Sequence, residues 1–257
     1  MRDINYKKEA EKIRIWIQKI FLNSDMEKIV IGLSGGIDSA VSCTLAAQAI
    51  GKERIIPVLL PYGSMSNEGV DDAKEVIDFL RIPMENVIEI SIQSGVDSIL
   101  QNMSDVNNVR KGNAMARVRM IYLFDLAKQH RGLVCGTENK SEHFLGYFTR
   151  FGDEASDMEP IRHLYKTHVW GIGKSLELPQ KILTKAPTAG LWQGQTDEGE
   201  LGFSYQEADE VLSYFIDEEL SKEEMIAKGL TEPIVGKVLQ RVKENEFKHR
   251  LPLVFHK

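Results

Sequence analysis

The stretch Lys28–Ala49 reads KIVIGLSGGIDSAVSCTLAAQA, and the rest of the chain can be arranged around it. Ile29 to Ile31 form a short apolar run rich in β-branched side chains, which is typical of a strand buried on both faces. From Asp38 onward the residues favour a helix with one apolar face. The small, polar, glycine-rich segment between strand and helix is therefore predicted to be a loop that ends at a helix N-terminus.

This loop has the chemistry of a phosphate site. Gly35 and Gly36 let the backbone approach an anion, Ser34 and Ser39 supply hydroxyl donors, and the helix N-terminus offers free N–H groups with a partial positive charge. Asp38 would repel a phosphate unless a divalent cation lay between them, and Mg²⁺ favours carboxylate and phosphate oxygens. The Gly-Lys-Ser/Thr ending of a Walker A loop is missing, so a different phosphate geometry is predicted.

Composition limits the class of protein. The chain has 257 residues, 42% hydrophobic and 27% charged, which is an ordinary globular composition with enough length for a substantial core. The net charge of −6 argues against a broad nucleic-acid surface, and no apolar run is long enough for a membrane span. The start of the chain lacks the apolar core of a signal peptide. Cys43 and Cys135 are far apart in apolar elements, so reduced core thiols and a cytoplasmic protein are expected.

Strand and helix patterns alternate up to Cys135, which predicts an α/β fold with a parallel sheet and helices on both faces. Helices are predicted over 3–22, 67–80, 92–103 and 112–129, and further strands over 54–60, 86–90 and 132–136. Asn67 is expected to cap the second of these helices. Periodicity weakens after Thr137, and helices resume over 205–216, 222–228 and 233–244. Ligands of such sheets bind at the carboxyl ends of the strands, where both the glycine loop and Thr137 lie.

Several later segments carry polar groups that could serve a nucleotide. They are the helix segment 112–120 with Arg117, the segment 136–142 with Thr137 and Glu142, the non-periodic aromatic and acidic run 146–157, Lys166, and the segment 186–192. Glu142 is a second carboxylate able to share a cation with Asp38, and Lys166 can meet a phosphate as a point charge.

Read in order, these segments resemble ammonia-dependent NAD⁺ synthetase, a family of the N-type ATP pyrophosphatases, whose Ser-Gly-Gly-x-Asp-Ser loop matches Ser34–Ser39. The resemblance runs from Gly32 to the tail near Pro252. It implies a Rossmann-like fold of the adenine nucleotide alpha hydrolase type. It also implies one NAD⁺ synthetase domain over 1–257, with the loop at 32–39, a C-terminal helical part at about 200–257 and no glutaminase domain.

The resemblance also implies residue roles. ATP would be bound by Gly32, Leu33, Ser34, Gly35, Gly36, Ile37, Asp38, Ser39, Thr137, Lys166 and Thr188. Mg²⁺ would be bound by Asp38 and Glu142. Deamido-NAD⁺ would be bound by Arg117, Arg150, Asp157, Phe247 and Lys248. Catalysis would depend on Asp38, Glu142, Lys166 and Asp157, with Asp157 binding or deprotonating ammonium.

Two of these positions depart from the family pattern. Arg150 stands where the family usually has lysine, which keeps the charge but changes its geometry. Phe247-Lys248 aligns with a family His-Lys pair, so Phe247 lacks the hydrogen bonds of histidine unless His249 replaces it by a shift.

The implied reaction is an ATP-dependent amidation of deamido-NAD⁺ by ammonia through an adenylate, releasing AMP and pyrophosphate. Its expected components are ATP, Mg²⁺, deamido-NAD⁺ and ammonia, in a homodimer without nucleic-acid or membrane partners. Helices 67–80 and 112–129 could bury the dimer surface. Two alternatives remain: another enzyme of the superfamily, such as GMP synthetase, and a non-catalytic adenine-nucleotide sensor. The absence of a cysteine pair and the acidic charge disfavour a tRNA-modifying ligase.

Overall fold

The computed structural model describes residues 4–192, 194–250 and 255. The strands are β1 (Lys28–Gly32), β2 (Ile55–Leu59), β3 (Ile88–Glu89) and β4 (Gly132–Cys135). The helices of the first half are α1 (Tyr6–Leu22), α2 (Ile37–Ile50), α3 (Asn67–Leu80), α4 (Gln93–Leu100) and α5 (Asn108–Gln129). Those of the second half are α6 (Lys140–Leu145), α7 (Lys166–Ser175), α8 (Gln180–Thr184), α9 (Asp197–Leu201), α10 (Tyr205–Leu212), α11 (Lys222–Ala227) and α12 (Glu232–Asn245).

Over the described residues, the strands form one parallel sheet in the order β3-β2-β1-β4. Ile29 of β1 lies in register with Ile55 of β2 on one side and with Leu133 of β4 on the other. A parallel bridge between Cys135 and Met158 adds a short further pairing beside β4. The predicted α/β class with a parallel sheet is confirmed.

The sheet is covered on both faces, which explains why its strands are apolar throughout. Ile29 and Ile31 pack in a core with residues of α1, α2 and α7, whereas Val30 points to the opposite face and packs with residues of α4 and α5. Because successive side chains of a strand alternate between faces, a strand covered on both faces needs no polar positions.

Helix α2 is the central helix of the first core. Every residue from Ser39 to Ala47 is buried, including Cys43. Cys43 and Cys135 are free thiols within the core, as the sequence predicts. The predicted phosphate loop, residues 32–39, therefore joins a buried strand to a buried helix.

The structure corrects the prediction at several element boundaries. Ser66 rather than Asn67 is the N-cap of α3, and its side chain makes no capping hydrogen bond; Asn67 is the first helical residue. The weakly periodic region after Thr137 contains the short helices α6 to α9. The predicted helix 205–216 changes after α10 into a π-helical turn over Ser213–Asp217.

The C-terminal helices α10 to α12 form a third apolar cluster with residues of α6 and Tyr165. Pro252, where the family resemblance ends, lies outside the described residues. Within residues 4–192, 194–250 and 255, no helix combines the length and the apolar character needed to cross a membrane.

Candidate functional site

The phosphate loop is built around a close backbone approach. Gly35 has φ +76°, and a Cβ on it would lie 2.5 Å from the Gly69 carbonyl oxygen and 2.6 Å from Asp72 Cβ. The hydroxyls of Ser34 and Ser39 lie 3.1 Å apart, and Ser39 Oγ donates to the Gly36 carbonyl oxygen at 3.0 Å. Only glycine combines this left-handed conformation with the space available. The loop is therefore shaped by contacts with α3 beneath it.

The N-terminus of α2 opens into this loop. Gly36 is its N-cap and provides no side-chain acceptor. The first N–H groups of a helix have no partner within the helix, and the helix dipole adds positive potential there. A phosphate held by the loop would meet these N–H groups.

Three predicted residues from distant parts of the sequence meet beside the loop. Lys166 Nζ donates to Asp38 Oδ2 at 2.6 Å and to Glu142 Oε1 at 2.8 Å. The Lys166 side chain is only 3% exposed. Asn139, which sequence reasoning did not single out, donates from Nδ2 to Asp38 Oδ1 at 2.9 Å and caps α6 at the Glu142 N–H. The structure thus unites Asp38, Glu142 and Lys166 as an ionic cluster.

Burial and the neighbouring charges shift the pKa of Lys166 in opposite directions. Desolvation disfavours its charged form, but the Asp38 and Glu142 carboxylates raise the pKa of Lys166 above its usual value. Desolvation raises the pKa of Glu142 to about 8, while the Lys166 ammonium opposes this shift and Asp38 adds to it. The cluster therefore keeps an ammonium ion at neutral pH, and protons compete with cations for Glu142.

A buried aspartate of α10 positions Lys166. Asp209 is fully buried, and its carboxylate accepts from Ser141 Oγ and, at 2.8 Å, from the Thr167 N–H. Ser141 Oγ in turn accepts from the Lys166 N–H at 2.8 Å. Asp209 therefore joins the start of α7 to α6, which carries Glu142. Its distance in sequence from both helices left no local pattern from which to infer this role.

Asp197 is a further buried carboxylate near the cluster. It is 3% exposed, accepts from the Ala189 N–H at 3.0 Å, and accepts from Tyr205 OH at 3.1 Å. Burial raises the pKa of Asp197, while the charge of Lys166 lowers it. The sequence marks this segment only as an acidic, glycine-containing run. In the structure, Asp197 fixes the segment that carries Thr188.

Two further predicted ATP contacts are Thr137 and Thr188. Thr137 is half-buried just beyond β4. Thr188 Oγ1 donates to the Gln195 carbonyl oxygen at 2.8 Å and accepts from the Gly190 N–H at 3.1 Å. The Thr188 hydroxyl is therefore engaged within its own loop in this structure.

The residues predicted for deamido-NAD⁺ contact the backbone of their neighbours. Arg117 donates from Nε and Nη2 to the Arg150 carbonyl oxygen at 3.2 and 3.0 Å. Arg150 donates to the Arg250 carbonyl oxygen at 2.5 Å, and its guanidinium lies 4.8 Å from the centre of the Phe151 ring. Asp157 is exposed, and its Oδ2 accepts from the Val134 N–H at 2.7 Å. Together these contacts hold the loop after α6 against α5 and the sheet.

The tail lies against the same loop. Lys248 Nζ donates to the carbonyl oxygens of Gly146 and Phe148 at 2.6 and 3.0 Å. His249 packs with its ring centre 4.2 Å from that of His143, whereas Phe247 is 57% exposed. Of the two tail pairs considered from sequence, Lys248 and His249 are the residues that pack inward.

The ionic cluster can be tested for its fit to Mg²⁺. Asp38 and Glu142 already share one cationic group, so their oxygens converge on a position that favours positive charge. Across the described part of the chain, no group of three His, Cys, Asp or Glu side chains is arranged to hold a metal. Mg²⁺ takes one or two protein carboxylates and completes its shell with phosphates and water. The two carboxylates fit that requirement.

Comparison with known proteins is consistent across sequence and structure. The sequence model of the NAD synthase family matches residues 9–252. A relative from Pyrococcus horikoshii, named NH(3)-dependent NAD(+) synthetase, is 45% identical over 98% of this chain and 96% of its own length.

Two solved structures match nearly the whole chain. The NMN synthetase of Francisella tularensis superposes with a TM-score of 0.86 and 37% identity, covering 99% of this chain and all 100% of that chain. The NH3-dependent NAD synthetase of Campylobacter jejuni superposes with a TM-score of 0.83 and 31% identity, covering 98% and 100% respectively. The parallel sheet and its helices thus have the Rossmann-like architecture of these neighbours, and the chain belongs to the NAD synthase family.

Proposed function

We propose that this protein is a ligase that converts deamido-NAD⁺ into NAD⁺ with ATP and ammonia, the final step of NAD⁺ biosynthesis. The observation that carries the proposal is the ionic cluster beside the phosphate loop, where Lys166 Nζ lies 2.6 Å from Asp38 and 2.8 Å from Glu142. A glycine loop alone serves many nucleotide-binding proteins. A buried cation between two carboxylates at the end of that loop is suited to phosphate displacement.

The proposed chemistry has two steps. The nicotinate carboxylate of deamido-NAD⁺ attacks the α-phosphorus of ATP, the bond from that phosphorus to the bridging oxygen breaks, and pyrophosphate leaves with the electron pair. Ammonia then attacks the carbonyl carbon of the adenylate, loses a proton, and expels AMP. Positioned donors at the developing negative charge are the usual main source of rate enhancement in such transfers.

The loop residues from Gly32 to Ser39 would bind the phosphates of ATP through backbone N–H groups and the two serine hydroxyls. Thr137 and Thr188 would contact ATP on either side, which requires the Thr188 hydroxyl to exchange its contact with Gln195. Lys166 would stabilise charge on the phosphates. Desolvation makes this ammonium more effective than an exposed one.

Mg²⁺ is the proposed metal, held by Asp38 and Glu142. When bound, it would neutralise phosphate charge and orient the leaving group. The chain's own part is to present two carboxylates in fixed positions, since Asn139 holds Asp38 and the N-terminus of α6 holds Glu142.

Deamido-NAD⁺ is proposed to bind along α5 and the loop after α6, through Arg117, Arg150 and Asp157, with Lys248 and either Phe247 or His249 from the tail. Asp157 would bind ammonium or take a proton from it. An Asp157→Asn variant with unchanged ammonium dependence and pH profile would contradict that role.

We further propose that residues 1–257 act as one NAD⁺ synthetase domain that uses free ammonia, and that the protein is a cytoplasmic homodimer. The two buried, free cysteines support a reducing compartment.

The decisive experiment measures AMP and pyrophosphate release with ATP, Mg²⁺ and deamido-NAD⁺, comparing ammonium with glutamine as nitrogen donor. NAD⁺ formed with ammonium alone is the expected result. If the protein binds ATP but releases no pyrophosphate with deamido-NAD⁺, the proposal is wrong. Xanthosine monophosphate tests the GMP synthetase alternative in the same assay, and pyrophosphate release separates an enzyme from a nucleotide sensor.

Nicotinate mononucleotide belongs in this assay as a second candidate substrate. One structural neighbour is named NMN synthetase, and Arg150 replaces the lysine usual in the family at a proposed substrate position. If kcat/KM is higher for the mononucleotide than for deamido-NAD⁺, the same site and chemistry serve the smaller substrate.

A further inference from the structure

A second buried ion pair lies beside the phosphate loop. Asp72 of α3 is 0% exposed, and its carboxylate forms salt bridges with Lys185 and, at 2.5 Å, with Lys181. Lys185 immediately follows α8, and its side chain is 19% exposed, whereas that of Lys181 is 51% exposed. Asp72 therefore holds one well-covered and one largely solvated ammonium.

Both partners of the inner pair connect directly to the proposed ATP site. Asp72 Cβ lies 2.6 Å from where a Cβ on Gly35 would be, so Asp72 supports the phosphate loop from below. Lys185 begins the segment that leads to Thr188. The pair thus links the phosphate loop to the loop that carries Thr188.

The charges favour a phosphate here. Burial opposes the charge of Asp72, but the two lysines hold the pKa of Asp72 below its usual value, so the carboxylate remains a fixed anchor. The Asp72 carboxylate is shared between two ammonium groups, and Glu68, 3.9 Å from Lys185 Nζ, is 76% exposed and acts weakly on it. Glu75 and Glu68 act on the more exposed Lys181. Lys166, by contrast, is shared between two carboxylates. An incoming polyphosphate would find less compensated positive charge at Lys185 than at Lys166.

A buried anchor also lowers the entropic cost of using a lysine. A free lysine side chain loses rotamer entropy when it is fixed. Lys185 is already held by Asp72 before any ligand arrives, so its ammonium needs little further ordering to contact an anion.

We propose that Lys185 binds the β- and γ-phosphates of ATP and then the departing pyrophosphate, and that Asp72 is the positioning residue that holds Lys185 beside the loop. The inference rests on the proposed function, because it assigns the part of the loop next to Asp72 to the leaving group. The Lys185 ammonium stabilises the charge that appears on pyrophosphate when its bond to the α-phosphorus breaks.

The test compares Lys185→Gln with Lys181→Gln, a matched change at the other lysine on the same carboxylate. Lys185→Gln is expected to raise KM for ATP and the inhibition constant of pyrophosphate at least tenfold, with KM for deamido-NAD⁺ changed less than twofold. Lys181→Gln is expected to change each constant less than twofold. Lys185→Arg retains the charge and should restore most of the loss, and Asp72→Asn should raise the same two constants as Lys185→Gln.

Two results would contradict the role proposed for Lys185. If Lys185→Gln lowers the thermal midpoint but leaves KM for ATP and pyrophosphate inhibition unchanged, Lys185 is structural and the proposal is wrong. Equal effects of the two lysine changes would also overturn it. Calorimetric titration of inorganic pyrophosphate into the wild-type and variant proteins requires no amidation, so it tests Lys185 even if deamido-NAD⁺ is not the substrate.

Discussion

Lys166 is a buried charged residue that depends on its ionic partners. Its ammonium is 3% exposed and lies between two carboxylates from α2 and α6. Removing one member of a buried ionic group leaves uncompensated charge and costs about 3–5 kcal/mol in typical cases. The two carboxylates would then repel each other unless another cation joined them.

This arrangement gives a prediction for Lys166→Met. We expect a loss in the free energy of unfolding of about 3 kcal/mol without metal, and a loss of kcat of about 10²-fold or more. Mg²⁺ should restore part of the stability, because it can replace the ammonium between Asp38 and Glu142. Thermal and urea unfolding with and without Mg²⁺ measure both effects.

Lys140→Met is the matched control for that prediction. Lys140 pairs with Asp217, whose side chain is 42% exposed, so its loss should cost less and should not respond to Mg²⁺. Equal stability of Lys166→Met and the wild type in the absence of Mg²⁺ would contradict the prediction.

A second prediction concerns Glu159, which packs over Gly136 at the end of β4. Its side chain is 10% exposed, and burial raises the pKa of Glu159 from 4.5 to about 7. Between these two values the folded state binds the proton more tightly than the unfolded state. The contribution of Glu159 to the free energy of unfolding is therefore full at low pH and is lost as pH rises through about 7.

Glu159→Gln removes this dependence. Between pH 5 and pH 8, the free energy of unfolding of the variant relative to the wild type should rise by on the order of 1–3 kcal/mol. Urea unfolding at both pH values measures the difference. Glu85→Gln, at an exposed position, should show no such change; a pH-independent difference for Glu159→Gln would refute the assignment.

Sequence alone identified some of these residues because they sit in motifs. Asp38 lies in a recognisable hexamer, and Glu142 and Lys166 follow from the order of the family segments. Asp209 is not marked by the sequence because its partners Ser141 and Thr167 are distant in the chain. Asp197 bonds to Ala189 and Tyr205, each eight residues away, but this spacing matches no helix or strand period. Such contacts have no period or spacing in the chain.

Among the elements, the junction of the phosphate loop with α3 is the most constrained. Gly35 has no room for a side chain, because its Cβ position is occupied by the Gly69 carbonyl and Asp72 Cβ. Gly202, at the end of α9, has nearly the same φ of +75° but no atom within 4 Å of its Cβ position. Because the two glycines share a backbone conformation but differ in close contacts, a comparison of their alanine variants separates the effect of contact from that of conformation.

We therefore expect Gly35→Ala to lower ATP affinity at least tenfold and to destabilise the protein by more than Gly202→Ala. The latter should cost only the backbone strain of a left-handed residue, about 1–2 kcal/mol. Calorimetric titration of ATP and urea unfolding measure the two quantities. If Gly35→Ala and Gly202→Ala destabilise the protein equally and ATP affinity is unchanged, the close contact of Gly35 with α3 determines neither stability nor ATP binding.

At the same scale, sequence prediction is weakest between Thr137 and Ser204, whereas the helices predicted over 205–216, 222–228 and 233–244 correspond to α10, α11 and α12. Before Thr137, the apolar strands and the long helices, such as α5, can be recognised from the period of their apolar residues. After it, α6, α8 and α9 have five or six residues each, too few turns to show a period. Their boundaries depend on caps such as Asn139 and Thr196 and on tertiary contacts, which a sequence pattern does not specify.

For the whole molecule, the proposed dimer has a candidate surface on α5. Ile121 and Phe124 lie on one face of this helix and are 65% and 40% exposed. Apolar side chains grouped on one helix face mark association sites more often than scattered ones do. Ile121→Glu should convert the dimer to a monomer in sedimentation velocity at micromolar concentration.

Ile15→Glu is the matched control, because Ile15 on α1 is also exposed, at 57%, but lies on another side of the fold. It should leave the dimer intact. A wild-type protein that sediments as a monomer, or an Ile121→Glu variant that remains a dimer, would exclude this surface.

The burial of α2 has a consequence for the motions of the molecule. Since every residue from Ser39 to Ala47 is covered, no local opening can expose these amides to solvent without disrupting the first core. Their hydrogen–deuterium exchange should therefore be among the slowest in the chain and should report global unfolding. The loop proposed to bind the nucleotide is thus attached to the part of the protein expected to fluctuate least, so that ligand binding would begin from an already ordered frame.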